Sequence, residues 1–207
     1  MSPQKLAGDL GAATRVIDAI VRSADPIRFP WLAESRLPTP VEREFAIMSS
    51  ALLLTAQRVV TDRRSEGKNQ QEDAVKSYLR SIGLVEVPPR SMPNMNNAPA
   101  PGEYCGESLV ASRKADIVVR LFDGRLLAIE CKVSNSSTNS VKRLNNDAAK
   151  KAVTWLEELG RVNMVPMAAL SGVFKLKNLQ QAQDEGLALI WAHRLGPLGE
   201  FILSTKK

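Results

Sequence analysis

Two apolar runs joined by Asp123-Gly124 constrain this chain more than any other feature in it. Ala115 to Phe122 reads as a β-strand, Asp123-Gly124-Arg125 as a tight turn, and Leu126 to Val133 as the returning strand. Asp-Gly between apolar runs is a strong hairpin signal, because the favoured two-residue turns need positive φ and these residues supply it.

Side chains alternate across a strand, so Glu130 and Lys132 share one face while Ile129, Cys131 and Val133 enter the opposite, apolar layer. Two charges on a strand this apolar are costly if buried without partners. They are better explained as ligands or partners of something charged. Antiparallel pairing about the turn sets Asp116 level with Glu130 to Lys132, which brings two carboxylates and one ammonium together. Hard oxygen ligands that leave room for water suit Mg²⁺, which takes one or two carboxylates alongside substrate phosphate.

This constellation resembles the active site of the PD-(D/E)XK nuclease superfamily, and the whole chain resembles a type II restriction endonuclease. The resemblance implies catalytic roles for Asp116, Glu130 and Lys132, with Asp116 and Glu130 as the metal ligands. Ala115 stands where many members carry proline, which leaves the chemistry untouched. The run from Ser134 to Asn145 resembles the segment after the catalytic strand in some restriction enzymes, and this narrows the expectation to sequence-specific cleavage of double-stranded DNA with Mg²⁺. A homodimer is expected, since a palindromic site is met most simply by two-fold protein symmetry. A repair or recombination nuclease of the same superfamily is the alternative enzyme. A DNA-binding protein without hydrolysis is the alternative outside enzymes.

Glu-x-Lys alone is a weak signal, and Glu66-Gly67-Lys68 is a second copy. That copy follows Arg63-Arg64-Ser65 with no strand before it and reads as solvated loop. The competing reading of Glu130 and Lys132 is an exposed ion pair on a surface hairpin, which is worth little energetically.

Composition bounds the partner. At 207 residues the chain fits one domain with an added helical segment. A formal charge of +6 favours a polyanion, whereas 5% aromatic residues argue against base stacking as the main binding mode. No apolar run approaches a membrane span and no signal-peptide core follows Met1 to Lys5, so a cytoplasmic protein is expected. Cys105 and Cys131 are expected as reduced thiols. The single histidine, His193, reads as a strand-end residue.

The expected fold is α/β: a restriction-endonuclease-like core over 63–207, with a mixed central sheet flanked by helices, and an N-terminal helical segment over 1–62 packed on it. Helices are expected from Leu6 to Ser23, Val41 to Val60 and Gln70 to Ile82. In the superfamily a helix before the core often offers a glutamate, and Glu72 matches that position. It also reads as an acidic first-turn residue favourable to the helix dipole. Glu107 is a spare carboxylate. The stretch 88–102 reads as a long loop, either ordering in a DNA groove or mobile.

The expected DNA contacts flank the hairpin. Arg113 and Lys114 precede Asp116 and are placed to neutralise phosphate. Ser134, Asn135, Ser136 and Asn139 offer short hydrogen-bonding side chains, equally suited to a helix cap and to DNA. A helix from Asn139 to Leu159 comes next, with Lys142, Arg143, Lys150 and Lys151 mostly outward and the first two favoured for phosphate. Strand, helix and strand are expected over Val165–Phe174, Leu176–Glu185 and Leu187–Ala192.

Overall fold

Local capping chemistry starts the helices on the N-terminal side. Asp9 accepts a hydrogen bond from the Ala12 amide at 2.9 Å and caps α1, Leu10–Ser23. A short helix α2, Pro30–Ala33, comes after it. Thr39 and Glu42 then form a reciprocal capping box, Thr39 N–H to Glu42 Oε2 at 2.8 Å and Glu42 N–H to Thr39 Oγ1 at 3.3 Å. It opens α3, Pro40–Ser81, a helix of 42 residues. The computed structural model describes residues 9–134 and 136–206, except the side chains of 63–65 and 137–139. The chain divides into two compact units, the first ending at Arg63 and the second beginning at Arg64.

Two expected helices and the loop between them are therefore one element. The stretch 61–69 holds no proline, and its one glycine, Gly67, costs only about 1 kcal/mol in a helix. Tertiary contacts offset that cost: Val75 and Leu79 are fully buried, and Gln71 donates to the Ala169 carbonyl at 3.0 Å.

The second unit is built on strands β1 (Val85–Val87), β2 (Ser91–Met92), β3 (Glu103–Cys105), β4 (Ser108–Val110), β5 (Arg113–Ala115), β6 (Ile117–Arg120), β7 (Leu126–Ser134), β8 (Met164–Gly172) and β9 (Ala188–Trp191). Six of them form a mixed sheet in the order β1-β3-β6-β7-β8-β9, parallel except where β6 meets β3 and β7. The other three form a small sheet, β2-β4-β5. Helical elements intervene: α4 (Ser137–Arg143), a π-helical turn (Leu144–Ala149), α5 (Lys150–Leu159), α6 (Leu176–Asp184) and α7 (Gly196–Ser204). The expected mixed sheet flanked by helices is the architecture found.

Both sheet faces are covered. Val75 and Leu79 of α3 and Leu198 and Ile202 of α7 pack with Ile117, Val119, Leu127, Ile129 and Cys131 on one side. Trp155 of α5 packs with Val118, Leu126 and Ala128 on the other, joined by Ala115 and Val110 of the small sheet. Next to it, the alanines 148, 149 and 152 let the helix approach Ala168 and Leu170 closely. β7 is thus a central strand buried on both faces, the environment that its continuous apolar run demands.

Several expectations need correcting. The strand expected from Ala115 to Phe122 breaks at Asp116, where the chain leaves the small sheet after Ala115 and enters the large one at Ile117. The stretch 88–102 is partly built into the fold: Ser91 and Met92 pair with β4, Met95–Asn97 forms a 3₁₀ turn, and Met92 is fully buried. α7 has no counterpart among the expected elements. Its sequence starts Gly-Pro and carries too short an apolar pattern to stand out from the preceding strand signal.

Gly172 closes β8 opposite Ser134 of β7, at φ +97°. A Cβ there would collide with the Ser134 carbonyl oxygen, which also accepts the Val173 amide at 2.9 Å. Gly172→Ala is therefore expected to destabilise the fold by about 2 kcal/mol or more, read as a lowered midpoint in urea unfolding with unchanged slope.

Candidate active site

The hairpin register sets the site. Ile117 pairs with Ile129 across the antiparallel ladder, so Asp116 lies one step further on, beside Glu130. Because Asp116 sits at the crossing between two sheets, its carboxylate is free to turn onto its neighbour. Its Oδ2 accepts the Cys131 amide at 2.7 Å. Cys131 points the other way into the core, as strand alternation requires, and burial pushes its thiol far up. Cys105 is likewise buried and free.

Glu130 is completely buried yet charged partners surround it. Lys132 Nζ lies 2.7 Å from Oε2, and Lys151 Nζ donates to Oε1 at 2.9 Å and to Oε2 at 3.0 Å. Burial raises the Glu130 pKa, while the Lys132 charge pulls against that rise. Lys151 gives its third hydrogen to the Lys114 carbonyl at 2.9 Å, so all three of its donors are used.

Lys132 also reaches Asp147 on the π-helical turn, with Nζ 2.6 Å from Oδ2. Burial disfavours the Lys132 charge, but Glu130 and Asp147 outweigh it and the ammonium is held above the ordinary lysine range. Asp147 shows the converse: burial opposes its ionisation, and Lys132 more than compensates, holding its carboxyl below the usual range.

On the α3 side, Lys68 Nζ bridges Asp116 Oδ1 at 3.0 Å and Glu72 Oε1 at 3.1 Å. Burial opposes the Lys68 charge, and the Asp116 and Glu72 carboxylates outweigh that penalty and raise its pKa. Glu72 is mostly buried and faces the site through this bridge. Four carboxylates and three ammonium groups thus alternate around the start of β6 and the far half of β7.

The other expected residues are placed differently from one another. Arg113 and Lys114 are exposed at the mouth of the small sheet, where Lys114 pairs with Glu107 at 2.6 Å. That pairing draws Glu107 outward and lowers its pKa. Lys142 is exposed, whereas Arg143 is half-buried and donates to the Val133 carbonyl. Ser134 is 1% exposed and its hydroxyl donates to the Ser136 carbonyl at 2.9 Å, so it serves the loop and not the surface. Asn135 lies outside the described residues, as does the side chain of Asn139. Ser136 is half-buried. His193 is exposed in the turn after β9, with its ring 5.8 Å from that of Trp191, as a strand-end residue would be.

Sequence reasoning missed Lys68, Asp147 and Lys151. Lys68 falls in the stretch that reads as solvated loop, although it stands four residues before Glu72 on the same helical face. Lys151 reads as outward from periodicity, but it turns in to Glu130, four residues after Asp147. The usable signal is that spacing of opposite charges on a helix after the active strand.

The donor set suits a hard divalent cation. Among the described residues no group of three or more histidine, cysteine or acidic side chains is gathered tightly enough to hold a metal alone. Two carboxylates, Asp116 and Glu130, are the number that Mg²⁺ commonly takes from protein alongside water and phosphate. The ammonium groups on their oxygens mark positions where positive charge is demanded.

A family model described as XamI restriction endonuclease matches residues 1–191. Type II restriction enzyme XamI from Xanthomonas campestris pv. amaranthicola is 48% identical over 170 residues, which is 82% of this chain and 62% of that enzyme's length. Among solved structures, protein VC1899 from Vibrio cholerae aligns with 54% of this chain and 30% of its own, at 19% identity and a TM-score of 0.38. Among the described residues no helix is long and apolar enough to cross a membrane.

The buried carboxylate of Glu130 gives a direct test of this geometry. Lys151→Met removes two of its hydrogen bonds while Lys132 remains, and is expected to cost about 1–3 kcal/mol of stability. Guanidinium unfolding measures it, and an unchanged midpoint would show that Lys151 does not hold Glu130 in solution.

Proposed function

Because this chain belongs to the XamI restriction endonuclease family, we propose that it is a type II restriction endonuclease that hydrolyses phosphodiester bonds in double-stranded DNA at a specific sequence. The observation that carries this reading is the convergence of Asp116, Glu130 and Lys132 at the mouth of a buried hairpin. In this reading 63–207 is the catalytic core and 1–62 an added N-terminal helical segment. The acting form is a homodimer, in the cytoplasm, since two-fold symmetry matches a palindromic site.

Asp116 and Glu130 would hold Mg²⁺, and Glu72 extends the acidic surface beyond Asp116. The cation supplies Lewis acidity towards the phosphate and the attacking water. Lys132 carries a full ammonium charge into a nearly water-free position. Two of its hydrogens are taken by Glu130 and Asp147, and the third has no acceptor among the described residues. Lys132 Nζ is therefore poised to donate to a phosphate oxygen or to orient the attacking water, offsetting charge that grows in the transition state. The strand backbone cannot relax that charge away, since β7 is paired on both sides.

Outside the reacting centre, Arg113, Lys114 and Lys142 present charge to solvent and are the proposed phosphate contacts. Arg143 contributes chiefly by tying α4 to the end of β7. Ser136, Asn135 and Asn139 stay as proposed contacts of the loop after the catalytic strand.

Incubation of the protein with plasmid DNA and Mg²⁺ is expected to give discrete fragments. A smear, nicking alone, or cleavage confined to branched substrates would favour a repair nuclease, and specific binding without cleavage under any divalent metal would make it a binding protein. Lys132→Ala is expected to lower the cleavage rate by roughly 100-fold or more while leaving much of the DNA binding measured in Ca²⁺. Turnover equal to wild type would remove Lys132 from the mechanism.

A further inference from the structure

In a nuclease, a part-exposed carboxylate beside the site proposed to receive phosphate is an electrostatic liability unless it has work to do, and Asp147 is such a group. Its side chain is 47% exposed, and Oδ2 nevertheless lies 2.6 Å from Lys132 Nζ, whose own side chain is 11% exposed. The backbone that presents it is unusual. Leu144–Ala149 is a six-residue π-helical turn between α4 and α5, a form that is rare and frequently found at functional sites. Within that turn Leu144, Ala148 and Ala149 are buried against the sheet, and Asn145 donates to the Asn178 carbonyl at 3.2 Å. The turn is therefore anchored on its inner side while Asp147 leans over the catalytic strand.

The consequence is a row of alternating charge across two elements. Asp147 holds Lys132, Lys132 holds Glu130, and Glu130 is held in turn by Lys151, four residues along the helix from Asp147. One helix thus grips the Glu130–Lys132 pair from both ends.

We propose that Asp147 is a positioning residue for the cleavage reaction, acting through Lys132 by fixing where its ammonium points. An ammonium has three equivalent hydrogens on a flexible stem. With Glu130 as its only carboxylate, the group pivots about that contact. With Asp147 as a second anchor, the direction of the third hydrogen is set. The residue touches neither DNA nor the reacting atoms in this role. Asp147 lies on the π-helical turn and Lys151 in the first turn of α5, and both reach the strand.

The inference rests on the reading of the chain as a nuclease, and its test separates the two. Wild type, Asp147→Asn and Asp147→Glu are compared in three measurements: single-turnover cleavage of plasmid DNA with Mg²⁺, binding of the same DNA in Ca²⁺, and ¹⁵N NMR of the lysine ammonium groups, with Lys132→Met assigning the Lys132 signal. Asp147→Asn is expected to slow cleavage by roughly 10- to 100-fold, by analogy with partners that orient metal ligands, and to weaken the ordered Lys132 signal. DNA affinity and thermal midpoint stay close to wild type, and Asp147→Glu recovers part of the rate. Cleavage at the wild-type rate in Asp147→Asn overturns the proposal, as does a loss of affinity that accounts for the whole loss of rate, or a Lys132 signal unchanged by the substitution. If wild type cleaves nothing but the Lys132 signal still depends on Asp147, the nuclease reading fails and the anchoring role survives.

Discussion

A single carboxylate, sealed from solvent in the middle of a sheet, governs this structure. Glu130 is 0% exposed on a strand whose neighbours are nearly all apolar, and an isolated charge there would cost far more than any one contact returns. Its tolerance depends on two ammonium groups reaching it from different elements. Lys132 comes from its own strand and Lys151 from the helix that crosses above. The helix must therefore sit close, and the alanines at 148, 149 and 152 allow that approach.

The same requirement explains the crossing at Asp116. If β5 and β6 were one continuous strand, residue 116 would be a paired position with its side chain stacked in a layer. The change of sheet turns its carboxylate onto the Cys131 amide instead, beside Glu130 and within reach of Lys68. Two carboxylates drawn together repel each other, and the surrounding lysines hold that repulsion in check. An acidic centre within a basic chain is the electrostatic pattern that a phosphodiester substrate with a divalent cation calls for.

Legibility varied with the range of the interactions involved. The hairpin, its Asp-Gly turn and the facing of Glu130 and Lys132 follow from alternation and turn chemistry, which act over a few residues. The opposite facing of Cys131 follows from the same rule. Glu72 was readable as a candidate only through likeness to a nuclease superfamily, since its acidic first-turn reading was equally sound locally. The break expected around Arg63–Asn69 failed because polarity and a glycine look like a loop when the buried partners of Gln71, Val75 and Leu79 are unseen. Ser134 shows the opposite limit: a short polar residue after a strand looks solvent-facing, whereas here it is 1% exposed and donates to the Ser136 carbonyl.

The sequence by itself determined the hairpin that carries the candidate site: two strands, their turn, and two acids and an amine assigned to one region by strand alternation and antiparallel pairing. Only the tertiary structure decided which further charges join them. Lys68, Asp147 and Lys151 come from helices whose rotation and distance from the sheet depend on packing volumes summed over the whole core, and on a π-helical turn that no local propensity encodes. Periodicity fixes which way a strand residue points, but where a long helical side chain ends is settled by the buried charge it must neutralise.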